Sequence, residues 1–182
     1  MNYITELCTC LKALPQDRIY TLYRMIRNCS QSGNTVFIVG NGGSAASAEH
    51  WVCDLSKSCK ISEHIRVNIV SLCSSIPLLT AYSNDISFED VFVEQLRDRM
   101  SSKDMLIILS ASGNSPDLIR TVDYCKNIGA ESAAIVGNFN GYIAGEVTLP
   151  IVVQSENYGI IEDIHMVINH MIKEYFLLEA AP

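Results

Sequence analysis

The 182-residue sequence lacks the features of several large protein classes. It has no lysine and arginine cluster, and its 13 basic and 20 acidic residues give a net charge of −7, which argues against a nucleic-acid surface. No apolar run approaches the roughly 20 residues of a membrane span, and no charged-then-apolar signal segment opens the chain. Linkers, repeats and low-complexity segments are also missing. The sequence therefore predicts one globular domain over residues 1–182, in the cytoplasm and without a nucleic-acid or membrane partner.

The seven cysteines form no pattern of disulfides or of a structural metal site. Their number is odd, and thiols in the cytoplasm are normally reduced. Cys8 and Cys10 make a single C-x-C pair without a matching second pair, whereas a structural zinc site needs four ligands. We therefore interpret most of the cysteines as small buried apolar residues.

Short apolar runs alternate with helical stretches along the chain. The runs are continuous, as in strands buried on both faces of a parallel sheet, and they cover residues 36–39, 67–72, 105–109, 133–136 and 149–153. The helical stretches cover residues 45–57, 88–99, 115–127 and 159–178. This alternation predicts an α/β fold with three αβα layers and a five-stranded, mostly parallel, doubly wound sheet. Ligands of such folds bind at the carboxyl ends of the strands.

Two further helices are predicted within residues 1–31, before the first strand. Apolar residues with helical spacing begin at Tyr3, Pro15 ends that helix, and a second series begins at Ile19. These helices could simply cover the sheet. We favour the alternative that they form a helical extension used in oligomerisation.

A glycine-rich turn follows the first predicted strand. Gly40-Asn41-Gly42-Gly43-Ser44 leads into helix-favouring residues from Ala45 onwards. A strand, a tight turn and a helix N-terminus form an anion site, because free N–H groups and the helix dipole point at the turn. The expected ligand is a phosphate, and His50 and Asp54 on the same helix could carry chemistry.

A serine-rich turn repeats this arrangement after the third predicted strand. Ser110-Ala111-Ser112-Gly113-Asn114 leads to Ser115 as the N-cap, and Pro116 takes the first helical position. Alone, such a turn is often only a helix cap, but two such loops at the ends of parallel strands predict a phosphate site. Neither loop has the Gly-Lys-Ser/Thr ending of nucleotide triphosphate sites. The first loop fits the loose dinucleotide pattern, yet the acidic residue expected after the second strand is missing.

Together, these motifs resemble the sugar isomerase (SIS) domain family. The resemblance rests on Gly40-Asn-Gly-Gly-Ser44 with His50, on Asn84-Asp85, on Ser110-x-Ser-Gly-Asn-Ser115, and on Glu162-Asp-Ile-His165 with His170. It implies an aldose–ketose isomerase of a sugar phosphate that works through an enediol, with sedoheptulose 7-phosphate as the expected substrate and D-glycero-D-manno-heptose 7-phosphate as the product. It also implies a homotetramer with active sites between subunits.

The resemblance also assigns site residues. It implies substrate contacts at Asn41, Gly42, Gly43, Ser44, Asn84, Asp85, Ser110, Ala111, Ser112, Ser115 and Glu162. It implies one Zn²⁺ per subunit, with His50, Asp54, Glu162 and His170 as ligands. Asp54, Glu162 and His170 are the expected catalytic residues.

Three positions depart from the usual family pattern. Ala111 stands where threonine is common, which removes one hydroxyl from the phosphate site. Asp54 replaces the usual glutamate, and Glu162 replaces the usual glutamine. Aspartate is shorter by one methylene, roughly 1.5 Å of reach, and catalytic geometry is sensitive on about that scale. The charged Glu162 could compensate across the site.

The residues themselves are compatible with metal and acid–base chemistry. His50 and Asp54 are four residues apart and share a helix face, whereas Glu162 and His170 diverge by about 80°. Zinc accepts imidazole and carboxylate ligands, but His50 and Asp54 could equally be a surface pair and His170 a packing residue. Isomerisation needs a base for the carbon-bound proton, here Asp54 or Glu162, and an acid, here His170.

Two other functions stay open at this point. The chain could isomerise another phosphosugar, since the pocket walls decide the substrate. It could also bind a phosphosugar or a protein without catalysis, as does a bacterial replication-initiation factor of similar fold. We interpret Asp163 and His165 as supporting or interface groups, and Trp51 as a packing residue.

Overall fold

Five strands form the centre of the structure, a computed structural model that describes residues 2–59 and 66–179. The strands are β1 Val36–Gly40, β2 Ile69–Ser71, β3 Met105–Ser110, β4 Glu131–Gly137 and β5 Leu149–Val153. The helices are α1 Tyr3–Lys12, α2 Gln16–Gln31, α3 Gly42–Ser58, α4 Ile76–Asp85, α5 Val93–Leu96, α6 Pro116–Asn127, α7 Tyr142–Glu146 and α8 Tyr158–Glu179. A 3₁₀ turn at Phe88–Asp90 precedes α5.

The strand order is β2-β1-β3-β4-β5, and every neighbouring pair is parallel. β1 and β3 are buried along their whole length, as their unbroken apolar sequences predict. The predicted α/β fold with a doubly wound, five-stranded sheet is confirmed, and this sheet is wholly parallel. The chain passes from β1 to one side and from β3 to the other, so a topological switch point lies where these two strands end.

Helices cover both faces of the sheet. α2, α3 and α8 pack on the face towards which Ile38 and Ile107 point, and α5, α6 and α7 pack on the opposite face. The Trp51 side chain of α3 is completely buried, and its indole N–H donates to the backbone oxygen of His165 at 3.0 Å. The predicted packing role of Trp51 is confirmed.

The two N-terminal helices differ in how deeply they pack. Ile19, Leu22 and Ile26 of α2 are completely buried in the core. α1 buries only Cys10 and leaves Ile4 65% exposed. α2 therefore covers the sheet, whereas α1 leaves most of its side chains at the surface, and its role in oligomerisation stays a prediction.

Three segments differ from the expected pattern. The helix predicted over residues 88–99 is a 3₁₀ turn and the one-turn α5, because Arg97 leaves helical backbone and Asp98 has a φ of 60°. The sequence pattern predicts neither α4, which Ser75 caps, nor the five-residue α7. Although α8 has 22 residues, no helix in the described part of the chain is long and apolar enough to cross a membrane.

His165, near the centre of α8, is a completely buried core residue rather than an interface group. Its Nε2 atom lies 3.1 Å from the backbone oxygen of Ile135, so this nitrogen carries the proton, while Nδ1 has no partner among the described residues. Burial lowers the pKa of His165 from 6.5 to about 4, although the bond to Ile135 opposes the shift. The core therefore needs the neutral imidazole.

Mild acid is expected to destabilise the fold through His165. Because its pKa is lower in the folded chain, its contribution to stability is complete above pH 6.5 and is lost as the pH falls towards about 4. Between pH 7 and pH 5 the free energy of unfolding should fall by roughly 2 kcal/mol, measured by urea denaturation. His165→Gln can still donate to Ile135 and should remove most of this dependence. An unchanged pH slope in that variant would assign the acid sensitivity to other groups.

Candidate functional site

The first glycine-rich loop joins the end of β1 to the start of α3. A Cβ on Gly40 would lie 2.8 Å from the backbone oxygens of Leu109 and Ser44, and Gly42 has a φ of 54°. Both positions therefore favour glycine. The first helical hydrogen bond runs from the N–H of Ala45 to the oxygen of Asn41, so the three N–H groups before it have no helical partner. These groups and the helix dipole favour an anion at the turn, as predicted.

The second loop joins the end of β3 to the start of α6. The Ser110 hydroxyl oxygen accepts from the N–H of Gly113 at 3.1 Å, and the Ser112 oxygen accepts from Asn114 at 3.2 Å. These bonds use hydroxyl lone pairs and leave the hydroxyl hydrogens free to donate to an anion. Ser115 is the N-cap residue, as predicted, and its backbone oxygen accepts the first helical bond, from Ile119.

A buried acidic residue, Asp117, holds the two loops together. Asn41 in the first loop donates to the Asp117 carboxylate at 2.7 Å, and Asp117 in the first turn of α6 is only 2% exposed. Burial raises the pKa of Asp117, while the bonds from Asn41 and from backbone N–H groups oppose the shift. Asp117 is not among the site residues predicted from the sequence, although an acidic residue in the first turn of a helix is a recognisable signal.

The two loops and α8 enclose a pocket of about 270 Å³. It is lined by Asn41, Gly42, Gly43, Ser44, Ser110, Ala111, Ser112, Ser115, Tyr158 and Glu162. Every lining residue except Tyr158 is a predicted substrate contact. A larger cleft of about 490 Å³ lies between α2 and the end of α8, but its Arg27 and Glu179 already pair with each other at 2.7 Å. The pocket at the switch point combines free donors with a carboxylate and is therefore the better candidate.

Glu162 projects from α8 over the start of α3. A Cβ on Gly43 would overlap all three atoms of the Glu162 carboxylate group, so this close approach requires glycine. The carboxylate thus sits beside the N-terminal turn of α3.

A second cluster lies farther along α3 and α8 and consists of His50, Asp54 and His170. Both Nε2 atoms are 3.5 Å from Oδ2 of Asp54. Lys173 contacts Oδ1 at 3.1 Å, and the Asn169 amide donates to Oδ2 at 2.8 Å. Burial raises the pKa of Asp54, but Lys173, Asn169 and His50 outweigh it, so the net pKa lies below the usual value.

The donors of this cluster fit a divalent metal ion. Each of the three residues offers one ligand atom, and these atoms lie within 4.8 Å of one another. A zinc ion about 2 Å from each donor holds its ligands roughly 3–3.5 Å apart, close to the 3.5 Å measured here. Glu162, the fourth expected ligand, is not in this group; it lies two helical turns away, roughly 12 Å along α8 from His170.

Asn84 and Asp85 lie at the end of α4, away from the pocket. The Asn84 amide donates to the Asp85 carboxylate at 2.8 Å, and Asn84 lines a separate cleft with Leu79, Thr80, Ser83 and Phe88. Within one subunit the structure does not bring these two predicted contacts to the loops. Asp163 accepts a hydrogen bond from the Tyr3 hydroxyl at 2.6 Å and thereby ties α1 to α8.

Comparisons with known proteins identify a matching family and similar sequences. The family model described as SIS domain matches residues 1–137. The chain is 29% identical to the phosphoheptose isomerase of Geobacter sp. (strain M21), over 92% of this chain and 86% of that protein. It is 30% identical to the probable phosphoheptose isomerase of Thermoplasma acidophilum, over 94% of this chain and 93% of that protein.

The fold has close counterparts among solved structures. The phosphoheptose isomerase of Neisseria gonorrhoeae superimposes with a TM-score of 0.85 and 23% identity, over 96% of this chain and 95% of that chain. The phosphoheptose isomerase of Francisella tularensis gives a TM-score of 0.85 and 21% identity, over 96% and 92%. At these identities the likeness shows the fold alone.

Proposed function

The chain belongs to the SIS domain family, and we propose that it is a phosphosugar aldose–ketose isomerase, a single SIS domain over residues 1–182. The proposed reaction interconverts sedoheptulose 7-phosphate and D-glycero-D-manno-heptose 7-phosphate. One observation carries the proposal: a single pocket joins two anion-binding loops to a carboxylate, that of Glu162. The names of the relatives that cover nearly the whole chain support the same reaction.

The two loops would hold the phosphate. Free N–H groups at the start of α3 and hydroxyls of Ser110, Ser112 and Ser115 can donate to its oxygens. Ala111 offers no hydroxyl, so its contribution is limited to its backbone. Holding the phosphate supplies binding energy that is remote from the reacting carbons.

Glu162 is the proposed base, and His170 the proposed acid. The lowered pKa of Asp54 makes that carboxylate a weak base, and both of its oxygens are engaged. Glu162 would take the proton from C1 of the ketose and return it to C2, while His170 protonates O2 and takes the proton from O1. The intermediate between these steps is an enediol.

The loops lie beside Glu162, and His170 lies roughly 12 Å farther along α8, so the distance from the phosphate site to His170 favours a long substrate. An extended chain advances roughly 1.2 Å per bond, so the seven bonds from phosphorus to C2 of a 7-phosphate span roughly 8 Å. Such a chain can keep its phosphate in the loops while C1 and C2 extend towards His170. A five-carbon ketose 5-phosphate has two bonds fewer and falls short by roughly 2.5 Å.

His50, Asp54 and His170 would hold one Zn²⁺ per subunit. When bound, the ion would polarise the substrate carbonyl and stabilise negative charge on the enediolate oxygens. Asp54 would then serve as a ligand, whereas without the ion its Oδ2 atom, 3.5 Å from Nε2 of His170, can orient that ring.

A second subunit is the proposed partner of α4. This helix has no buried residue within one subunit. Its apolar Ile76 is 71% exposed, and the neighbouring Phe88 is 57% exposed. In a homotetramer, α4 could bring Asn84 and Asp85 to a neighbour's pocket. A monomer in sedimentation equilibrium at micromolar concentration would contradict this arrangement.

An isomerase assay on ketose phosphates of five to seven carbons tests the function. We expect turnover of sedoheptulose 7-phosphate, a kcat/KM at least tenfold lower for a five-carbon substrate, and loss of activity with a chelator that added zinc reverses. Phosphosugar binding without turnover would instead favour the non-catalytic alternative. No turnover of any of these substrates, with or without zinc, would refute the proposal.

A further inference from the structure

Lys173 is the unexpected member of the His50–Asp54–His170 cluster. Its ammonium nitrogen lies 3.1 Å from Oδ1 of Asp54, and the two side chains are only 28% and 13% exposed. Such shielding leaves the pair less screened than one on the open surface. Asp54 is the only carboxylate within ion-pair distance of Lys173 in the described part of the chain.

The other oxygen of Asp54 is also engaged. The Asn169 amide donates to Oδ2 at 2.8 Å, and Asn169 is completely buried. Its own oxygen has no partner among the described residues, so Asp54 is the contact that orients this amide. Asp54 is therefore held by a cation on one oxygen and by a neutral donor on the other.

We propose that Lys173 is a resident cation that competes with a divalent metal ion for Asp54, so that this site binds zinc weakly. The inference rests on the metal site of the proposed function. With neutral imidazoles, Asp54 and Lys173 bring the charge of the cluster to zero, whereas two histidines and a carboxylate alone would carry −1. An incoming divalent ion must displace the ammonium or lie close to it, and like charges at short range repel each other.

Zinc titration of the purified full-length protein tests this competition. The affinity is measured by competition with a chromophoric chelator, without any sugar. Lys173→Met should bind zinc at least tenfold more tightly than the wild type, whereas Lys173→Arg, which keeps the charge, should stay within threefold of it. The matched control is Lys126→Met, which removes a lysine paired with Glu146 at a distant exposed position.

The outcomes separate the possibilities. Adding His170→Ala to Lys173→Met should abolish the gain in affinity, which assigns the gain to this cluster. Equal zinc affinity of the wild type and Lys173→Met, or no zinc binding by either, would overturn the inference. If Lys173→Met does not fold, as judged by circular dichroism, Lys173→Gln gives the same comparison. Since the measurement involves no sugar, a failed isomerase assay would leave its result unaffected.

Discussion

Glu162→Gln is expected to lower kcat for the sugar phosphate by roughly 100- to 10,000-fold, the usual contribution of a positioned base. The amide has the same shape as the carboxylate but cannot take a proton from C1. The pocket should keep its form, because the introduced glutamine side chain would occupy the same space, which Gly43 leaves open. KM should therefore change little, and steady-state kinetics measured at saturating zinc would show a loss confined to kcat.

The control for this variant is Glu174→Gln, the same substitution at an exposed position of the same helix. It should keep the kcat of the wild type. If Glu162→Gln keeps more than half of the wild-type kcat, another residue must be the base, and Asp54 would be the next candidate.

Compensation between positions 54 and 162 has its own test. The family resemblance implies glutamate at position 54 and glutamine at position 162 as the usual pair. If Glu162 has taken over the role of the base in this chain, adding Asp54→Glu to Glu162→Gln should raise kcat at least tenfold. The reason is that the longer side chain at position 54 reaches roughly 1.5 Å farther. A double variant no faster than Glu162→Gln would argue against this exchange of roles.

The sequence predicts the two loops well because their function is local. A strand, a short turn and a helix start are contiguous, and Gly40 to Ser44 or Ser110 to Ser115 form each anion site almost alone. The parallel sheet then brings the two loops together, since the carboxyl ends of neighbouring strands lie at one edge. This is why the eight loop residues that line the pocket could be named in advance, whereas Glu162 was expected there only from the family resemblance.

Residues that depend on the packing of distant helices could not be found in this way. Lys173 and Asn169 reach Asp54 only through the rotation and height at which α8 lies against α3. The same packing places Glu162 beside Gly43, away from the cluster that includes His170. The register between two helices is set by the whole core, and the spacing within one helix does not reveal it.

The helix α4 shows a different limit. Its sequence, with Pro77 in the first turn, predicts no clear periodicity. The structure shows why: within one subunit none of its residues is buried, so no single face is selected for packing on the core. In the proposed homotetramer, the role of Asn84 and Asp85 would therefore depend on a neighbouring subunit.

Gly43→Ala is expected to lower kcat/KM at least 100-fold while the protein stays folded. The added Cβ would overlap the Glu162 carboxylate, which is the free end of a flexible side chain and can swing out of the pocket. The fold should tolerate this, because alanine in a helix is favoured over glycine by roughly 1 kcal/mol. kcat/KM should therefore fall while the free energy of unfolding stays within about 1 kcal/mol of the wild-type value.

A double-mutant cycle decides whether the loss acts through Glu162. In a Glu162→Ala background the methyl group of Gly43→Ala meets no carboxylate, so its further effect on kcat/KM should shrink to threefold or less. Gly145→Ala serves as control, since a Cβ on that helical glycine meets no atom within 4 Å, and its activity should be unchanged. If Gly43→Ala costs 100-fold in both backgrounds, the glycine is needed for the approach of the phosphate to the α3 N-terminus. If the effect vanishes without Glu162, the glycine is needed because it leaves room for the Glu162 carboxylate.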